Sequence, residues 1–216
     1  MAEKLIFAAP KGRILKELLP ILEQADIIPE NDFFDDASRK LRFSTSQSDI
    51  DLIRVRSFDV ATFIAFGAAD LGVVGKDVLL ECGYEDLYTP IDLGIGKCRL
   101  SVAEPATQAK TDDITHWSHI RIATKYPNIT KQFFAQRNIQ AECIKLNGAM
   151  ELAPTLGLCS RIVDLVSTGS TLKANNLEEI EVIADISSYL AINRTSLKTK
   201  SSRLKDIIKL IEEACS

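Results

Sequence analysis

No Cys-x-x-Cys pair occurs among the five cysteines, Cys82, Cys98, Cys143, Cys159 and Cys215, which are odd in number and far apart. That spacing suggests neither a cysteine zinc site nor a disulfide framework, so reduced thiols in a cytoplasmic protein are expected. Only two histidines are present, His116 and His119, an i, i+3 pair in a stretch read as a surface loop, and no metal site built from protein side chains is expected. Basic residues do not outnumber acidic ones. The formal net charge of −4 argues against general nucleic-acid binding. Any anionic ligand must instead be met by locally placed Lys and Arg. No apolar run is long enough to span a bilayer, and the N-terminal Met-Ala-Glu-Lys-Leu-Ile-Phe lacks a signal-peptide layout. There is no internal repeat and no low-complexity segment. At 216 residues the chain can bury a substantial core, as one domain or as two small lobes.

What the sequence does have is strand–helix alternation, which argues for parallel sheet with flanking helices. Leu5 to Ala9 reads as a strand, Pro10-Lys11-Gly12-Arg13 as a turn, and Ile14 to Ala25 as a helix with Ile14, Leu18, Ile21 and Leu22 on one face. Lys11 and Arg13 thus sit where a strand gives way to a helix, a favoured place for a ligand in an open α/β sheet. Asp51 to Val55 is read as a strand, with Ser57 as N-cap of a helix over Phe58 to Phe66. Asp70 to Val74 is a buried strand, Gly75-Lys76-Asp77 opens a helix ending at Gly83, and Leu100 to Ala103 is the next strand. A polar, proline-containing stretch over 104–113 is read as the exit from the first lobe. Arg121 to Thr124, Ala141 to Leu146 and Ile162 to Val166 are strands of the second lobe, with a helix from Asn128 or Thr130 to Arg137 and a largely helical Gly148 to Leu156. Ile180 to Ile186 and Ser188 to Ile192 are extended, and Leu197 to Cys215 is one amphipathic helix.

The stretch richest in chemistry is 162–176. Asp164 lies in a β-branched run, and Ser167, Thr168, Gly169, Ser170 and Thr171 follow it. Four hydroxyls around a glycine that can adopt unusual backbone angles, just before a helix start at Ser170 or Thr171, suit a phosphate monoester. The ordinary alternative is a strand-to-helix turn with a Ser or Thr N-cap. The stretch lacks the Gly-Lys-Ser/Thr ending of a P-loop, so a triphosphate cradle of that kind is not indicated.

Asp164-Leu-Val-Ser-Thr-Gly-Ser-Thr-Leu-Lys-Ala-Asn175 closely resembles the phosphoribosyl-pyrophosphate (PRPP) motif of the ATP phosphoribosyltransferase family, which opens histidine biosynthesis. Lys11-Gly-Arg13, Ala68 to Asp77, Cys98-Arg-Leu-Ser-Val-Ala103, Arg121 to Tyr126 and Leu146 to Pro154 agree with it, in order, over nearly the whole chain. Other phosphoribosyltransferases end the strand on two adjacent acids, whereas here Asp164 is followed by Leu165. The resemblance implies an α/β fold of two periplasmic-binding-protein-like lobes (type II) with the active site in the interlobe cleft. Lobe one would comprise 1–103 plus 185–216, and lobe two 104–184.

It further implies transfer of phosphoribosyl from PRPP to N1 of ATP, with Mg²⁺ accompanying the phosphates. The loop Ser167, Thr168, Gly169, Ser170 and Thr171 would hold the 5-phosphate, and Asp164 and Glu151 would face the ribose. Arg13 and Arg39, helped by Lys11, would stabilise the leaving diphosphate or the ATP phosphates, since guanidinium forks suit such anions. Gly12, Asp70, Gly75, Lys97 and Arg99 are further candidates toward ATP. Cys98 is read as a buried structural thiol, because no base is evident beside it. The chain stops after one C-terminal helix, like the short form of the family. Such forms make a homodimer that joins a regulatory subunit resembling histidyl-tRNA synthetase, with no nucleic acid and no membrane involved. The competing reading is a non-catalytic two-lobed module that binds a small anion or senses an effector, because fold alone does not fix function.

Overall fold

The structure is a computed structural model that describes residues 4–35, 37–108 and 118–215. In chain order its elements are β1 (Leu5–Pro10), α1 (Arg13–Gln24), β2 (Arg42–Ser44), β3 (Ile50–Val55), α2 (Ser57–Ala65), β4 (Leu71–Gly75), α3 (Lys76–Cys82), β5 (Leu87–Asp92) and β6 (Cys98–Pro105). There follow β7 (His119–Thr124), α4 (Pro127–Ala135), β8 (Gln140–Lys145), α5 (Leu152–Thr155), β9 (Arg161–Val166) and α6 (Ser170–Ala174). The last are β10 (Leu177–Ile186), β11 (Ser188–Asn193), α7 (Arg194–Thr199) and α8 (Ser201–Ala214). The chain forms two compact units, one of 1–96 and 187–216, the other of 97–186.

The first unit is built on a six-stranded sheet of order β2-β3-β1-β4-β11-β5. β3, β1 and β4 run parallel, while β2, β11 and β5 join antiparallel to their neighbours. The parallel sheet expected from alternation is therefore the centre of a mixed one. Side chains alternate across a strand, and β1 shows the consequence. Phe7 and Ala9 pack with Leu18, Leu22, Leu204 and Ile207 of α1 and α8 on one face. Ala8 packs with Val60, Ala61, Ile64 and Val78 of α2 and α3 on the other. β1 and β4 approach so closely that a Cβ on Gly72 would lie 2.3 Å from the Ala8 carbonyl oxygen. β5 carries Pro90 but is an edge strand, where a missing N–H is tolerated.

The second unit has a five-stranded sheet of order β10-β6-β9-β7-β8, with β9, β7 and β8 parallel and β6 antiparallel to both its neighbours. This corrects the expected lobe boundary. Leu100, Val102 and Ala103 are buried between β9 and β10, so β6 belongs to the second unit and the chain passes into that unit after Gly96. Glu104 and Pro105 are the end of β6 and 106–108 a turn that follows it, so this stretch is not the exit from the first unit; 109–113 lie outside the described residues.

Three local expectations also change. Ser57 is the first residue of α2 rather than its cap. The 148–156 segment is helical only over Leu152–Thr155. The C-terminal helix is two helices, broken at Lys200, where φ is −118°. Asn193 caps α7 by accepting the Ser196 N–H at 2.9 Å. No helix among the described residues is long and apolar enough to cross a membrane.

Candidate active site

In the first unit, β3, β1 and β4 end side by side, and a cation follows each end: Arg56, Lys11 and Lys76. Gly12, at φ +93°, turns the chain from β1 into α1, and Arg13 is the first residue of that helix. Arg13 Nη2 donates to the Gly96 carbonyl at 3.3 Å, and the Gly96 N–H donates to Glu17 at 2.7 Å. Arg13 is thereby tied to the Gly94–Gly96 turn. Arg39 lies in an irregular segment just before β2. The antiparallel register Arg42↔Ile53, extended backward, brings it to the carboxyl end of β3. Its side chain is exposed, whereas neighbouring Lys40 is paired with Glu30 at 2.5 Å. Lys11, Gly12, Arg13 and Arg39 thus share one rim of the sheet. Arg56 and Lys76 join them and were not singled out from sequence, although each is the residue directly after a strand of the parallel trio, as Lys11 is.

Asp70 does not share that rim. It precedes β4, at the strand's other end, about 16 Å from Gly75 at 3.3 Å per residue. Its buried carboxylate accepts the Ile6 N–H and the Lys200 ammonium, each at 2.9 Å. Asp70 is a fold-holding acid that ties β1 to Lys200. Gly75 is buried as well, and a Cβ there would lie 2.2 Å from an Asp77 carboxylate oxygen. Packing against Asp77 explains this glycine without a ligand.

In the second unit, the carboxyl end of β9 runs directly into the hydroxyl-rich loop. Ser167 and Thr168 are exposed, Gly169 stands at φ +77° as the residue before α6, and α6 starts at Ser170. The left-handed angle explains why the motif has glycine here. Thr168 Oγ1 and Ser170 Oγ are 2.9 Å apart. The N–H groups of Ser170, Thr171 and Leu172 are first-turn donors that the helix itself cannot satisfy. α6 is five residues long, so its dipole is small and these local donors, not a macrodipole, carry the anion preference. Glu151, Asp164, Ser167, Thr168, Gly169 and Thr171 line one cavity of about 160 Å³. Two carboxylates and a ring of N–H and O–H donors are therefore gathered at one place, as a phosphorylated sugar requires. Asp164 Oδ1 also accepts the Leu165 N–H at 2.8 Å, which limits its rotation.

The expectation for Arg99 changes. Its Nε and Nη2 donate to the two carboxylate oxygens of Glu179, each at 2.5 Å, and its Nη1 donates to the Ser167 carbonyl at 3.2 Å. Arg99 in turn holds the Glu179 carboxyl below the usual carboxylate range. Arg99 is a compensated cation, paired within its own sheet. Arg99, Thr168, Gly169, Lys173, Asn176 and Glu179 border a second, larger cavity of about 480 Å³. Lys97 is exposed beside Cys98, which is half-buried at the start of β6 rather than fully buried. His119 opens β7 and is exposed, and His116 lies outside the described residues. Among the described residues no cluster of three or more His, Cys, Asp or Glu could hold a metal ion.

The family profile described as HisG, ATP phosphoribosyltransferase, matches residues 56–213. The chain belongs to the ATP phosphoribosyltransferase family. An ATP phosphoribosyltransferase of Paramagnetospirillum magneticum is 61% identical over 213 residues, covering 99% of this chain and 97% of that one. Among solved structures, the ATP phosphoribosyl transferase (HisG:HisZ) complex from Thermotoga maritima matches with a TM-score of 0.83 at 33% identity, covering 98% of both chains. The alkanesulfonate-binding protein SsuA from Xanthomonas axonopodis pv. citri matches at 13% identity with a TM-score of 0.60, covering 99% of this chain and 74% of that one. The second likeness speaks to fold alone. With the two mixed sheets, it identifies the architecture as the periplasmic-binding-protein-like α/β type expected from the family motif.

Proposed function

We propose that the protein is an ATP phosphoribosyltransferase that joins N1 of the adenine of ATP to C1 of the ribose of PRPP, releasing pyrophosphate as the first step of histidine biosynthesis. The observation that carries this reading is the 61% identity, across nearly the full chain, to a relative bearing that name. The 160 Å³ cavity supports it from chemistry, because Ser167, Thr168, Gly169 and Thr171 of the loop and both acids expected at the PRPP site line it together.

In the reaction the C1–O bond to the diphosphate breaks, the ribose ring becomes positively charged, and the N1 lone pair forms the new C–N bond. Ser167 to Thr171 grip the 5-phosphate through main-chain N–H and hydroxyl donors. Asp164 and Glu151 accept hydrogen bonds from ribose hydroxyls and favour the cationic ring. Lys11, Arg13 and Arg39, with Arg56 and Lys76 on the same rim, serve the polyphosphate groups. A cation that meets charge developing on the departing diphosphate stabilises the transition state more than the ground state. Mg²⁺ bound to the substrate phosphates would neutralise part of their charge, and Asp164 and Glu151 would supply the one or two protein carboxylates that such an ion uses. We further propose that this is the short form, a cytoplasmic homodimer completed by a regulatory subunit like the one in the HisG:HisZ complex.

The test is to incubate the pure protein with ATP, PRPP and Mg²⁺, with and without such a subunit, while pyrophosphatase removes the product. Pyrophosphate and an ultraviolet-absorbing adduct should form only when both substrates are present. Tight binding of one small anion without any turnover in either preparation would contradict the proposal and mark a binding module instead.

A further inference from the structure

We propose that Arg99 is a positioning residue that fixes the orientation of the Ser167–Thr168 peptide, and with it one donor of the phosphate loop. The proposal rests on the assignment of that loop to the 5-phosphate of PRPP.

Three adjacent strands meet at Arg99. It lies on β6, its paired residue on β9 is Val166, and its carboxylate partner Glu179 lies on β10. Ser101, two residues along β6, donates its hydroxyl to the same Glu179 at 2.8 Å. Glu179 is therefore held from two sides. The planar guanidinium is locked by a two-pronged carboxylate contact, the most directional arrangement open to it. Its remaining terminal nitrogen, Nη1, is thereby aimed at the Ser167 carbonyl, 3.2 Å away.

The consequence follows from peptide geometry. The chain has no cis peptide among its described residues, and in a trans peptide the carbonyl and the following N–H point in opposite directions. A Ser167 carbonyl pinned toward Arg99 sends the Thr168 N–H the other way. Thr168 and Gly169 line both cavities, whereas Arg99 and Glu179 line only the larger one and Asp164 and Glu151 only the smaller. The loop is thus the wall between them. Arg99 braces it from the larger cavity, and the Thr168 N–H is directed toward the side of Asp164. Without the brace this peptide can rotate about ψ of Ser167 and φ of Thr168, two exposed residues that no core packing holds.

A direct-contact role predicts different behaviour. If Arg99 met phosphate as a cation, Arg99→Lys would keep most PRPP affinity, and Glu179→Gln would raise it by freeing a positive charge. As a positioning residue, Arg99 needs its fork, so neither variant behaves that way.

The experiment measures PRPP and ATP dissociation constants and thermal midpoints for full-length Arg99→Met, Arg99→Lys, Glu179→Gln and Gly169→Val. The expected result is a rise of about tenfold in the PRPP constant for Arg99→Met, the size of one lost hydrogen bond of about 1.4 kcal/mol. Arg99→Lys should recover less than half of that loss. Glu179→Gln should weaken PRPP binding about threefold, and ATP binding should not move in any of the three. Gly169→Val, the control for the loop itself, should lose PRPP binding. Parent-like PRPP binding by Arg99→Met, equal losses for ATP and PRPP, or tighter PRPP binding by Glu179→Gln would overturn the proposal while the loop assignment stands. PRPP binding undisturbed by Gly169→Val would remove the loop assignment, and the proposal with it. If Arg99→Met fails to fold, the direction of the Glu179→Gln change decides.

Discussion

Replacing Gly169 with a series of residues separates backbone strain from ligand obstruction. Gly169 stands at φ +77°, and a Cβ built there would meet only a Val166 methyl at 3.9 Å. The protein therefore has room for a side chain, and any cost in the free enzyme is conformational. An L-residue in the left-handed region costs about 1–2 kcal/mol, Asn less, and a β-branched residue more. That strain has two outlets. If the loop keeps its shape, Gly169→Ala loses about 1–2 kcal/mol of stability. If the loop relaxes, the binding-competent fraction falls about 5- to 30-fold and the apparent PRPP affinity falls with it. In either case the ranking should be Gly, Asn, Ala, Val, from best to worst. Urea unfolding midpoints and PRPP titration by calorimetry measure the two outlets on the same samples. A simple size effect would place the larger Asn below Ala. That order, or a Gly169→Ala protein unchanged in both measurements, would refute the reasoning.

Gly72→Ala places a methyl 2.3 Å from the Ala8 carbonyl oxygen and should cost about 3 kcal/mol by urea unfolding, as β1 and β4 are forced apart. Arg161 and Glu104 form a buried pair at 2.9 Å, with burial pushing the Glu104 carboxyl up and the Arg161 guanidinium down, so desolvation outweighs their attraction. Arg161→Met should therefore lose about 3–5 kcal/mol by leaving a buried acid, while Arg161→Met with Glu104→Leu should regain most of it. Asp70→Asn weakens charge-assisted bonds to Ile6 and Lys200 and should cost about 1.5–3 kcal/mol without changing ATP affinity, read by unfolding and nucleotide titration. Acid should unfold the protein partly through Glu179 and Asp49, which Arg99 and Arg203 hold below their ordinary values of 4.5 and 3.8. Their stabilisation is complete above those values and is lost as pH falls through the lower folded ones. A pH titration of unfolding should show a shallower acid limb in Arg99→Met.

Elements with strong periodicity were legible in the sequence. β1, β3, β4, β7, β8 and β9 lie within a residue or two of where their apolar runs place them. The loop at Ser167–Thr171 and the glycine that turns it were legible too, because left-handed backbone and clustered hydroxyls leave a compositional trace. Other features depended on tertiary partners. β6 looks like any short apolar strand, and only its pairing with β9 and β10 assigns it to the second unit. β5 was hidden by Pro90, which an edge position permits. The break at Lys200 carries no glycine or proline signal. For the site residues, the kind of side chain was readable and its employment was not. Asp70 and Arg99 are the charged types a nucleotide site would use. Ile6 and Lys200 occupy the first, and Glu179 and Ser167 the second, from 64 to 130 residues away in sequence.

The most direct measurement is a titration of the ¹⁵N-labelled protein with ribose 5-phosphate, followed through the backbone amide resonances. The amides of Thr168 to Thr171 should shift most and saturate together, and the same titration of Gly169→Val should leave them still. Saturable binding that moves other amides while these four stay in place would contradict the loop as the seat of the sugar phosphate.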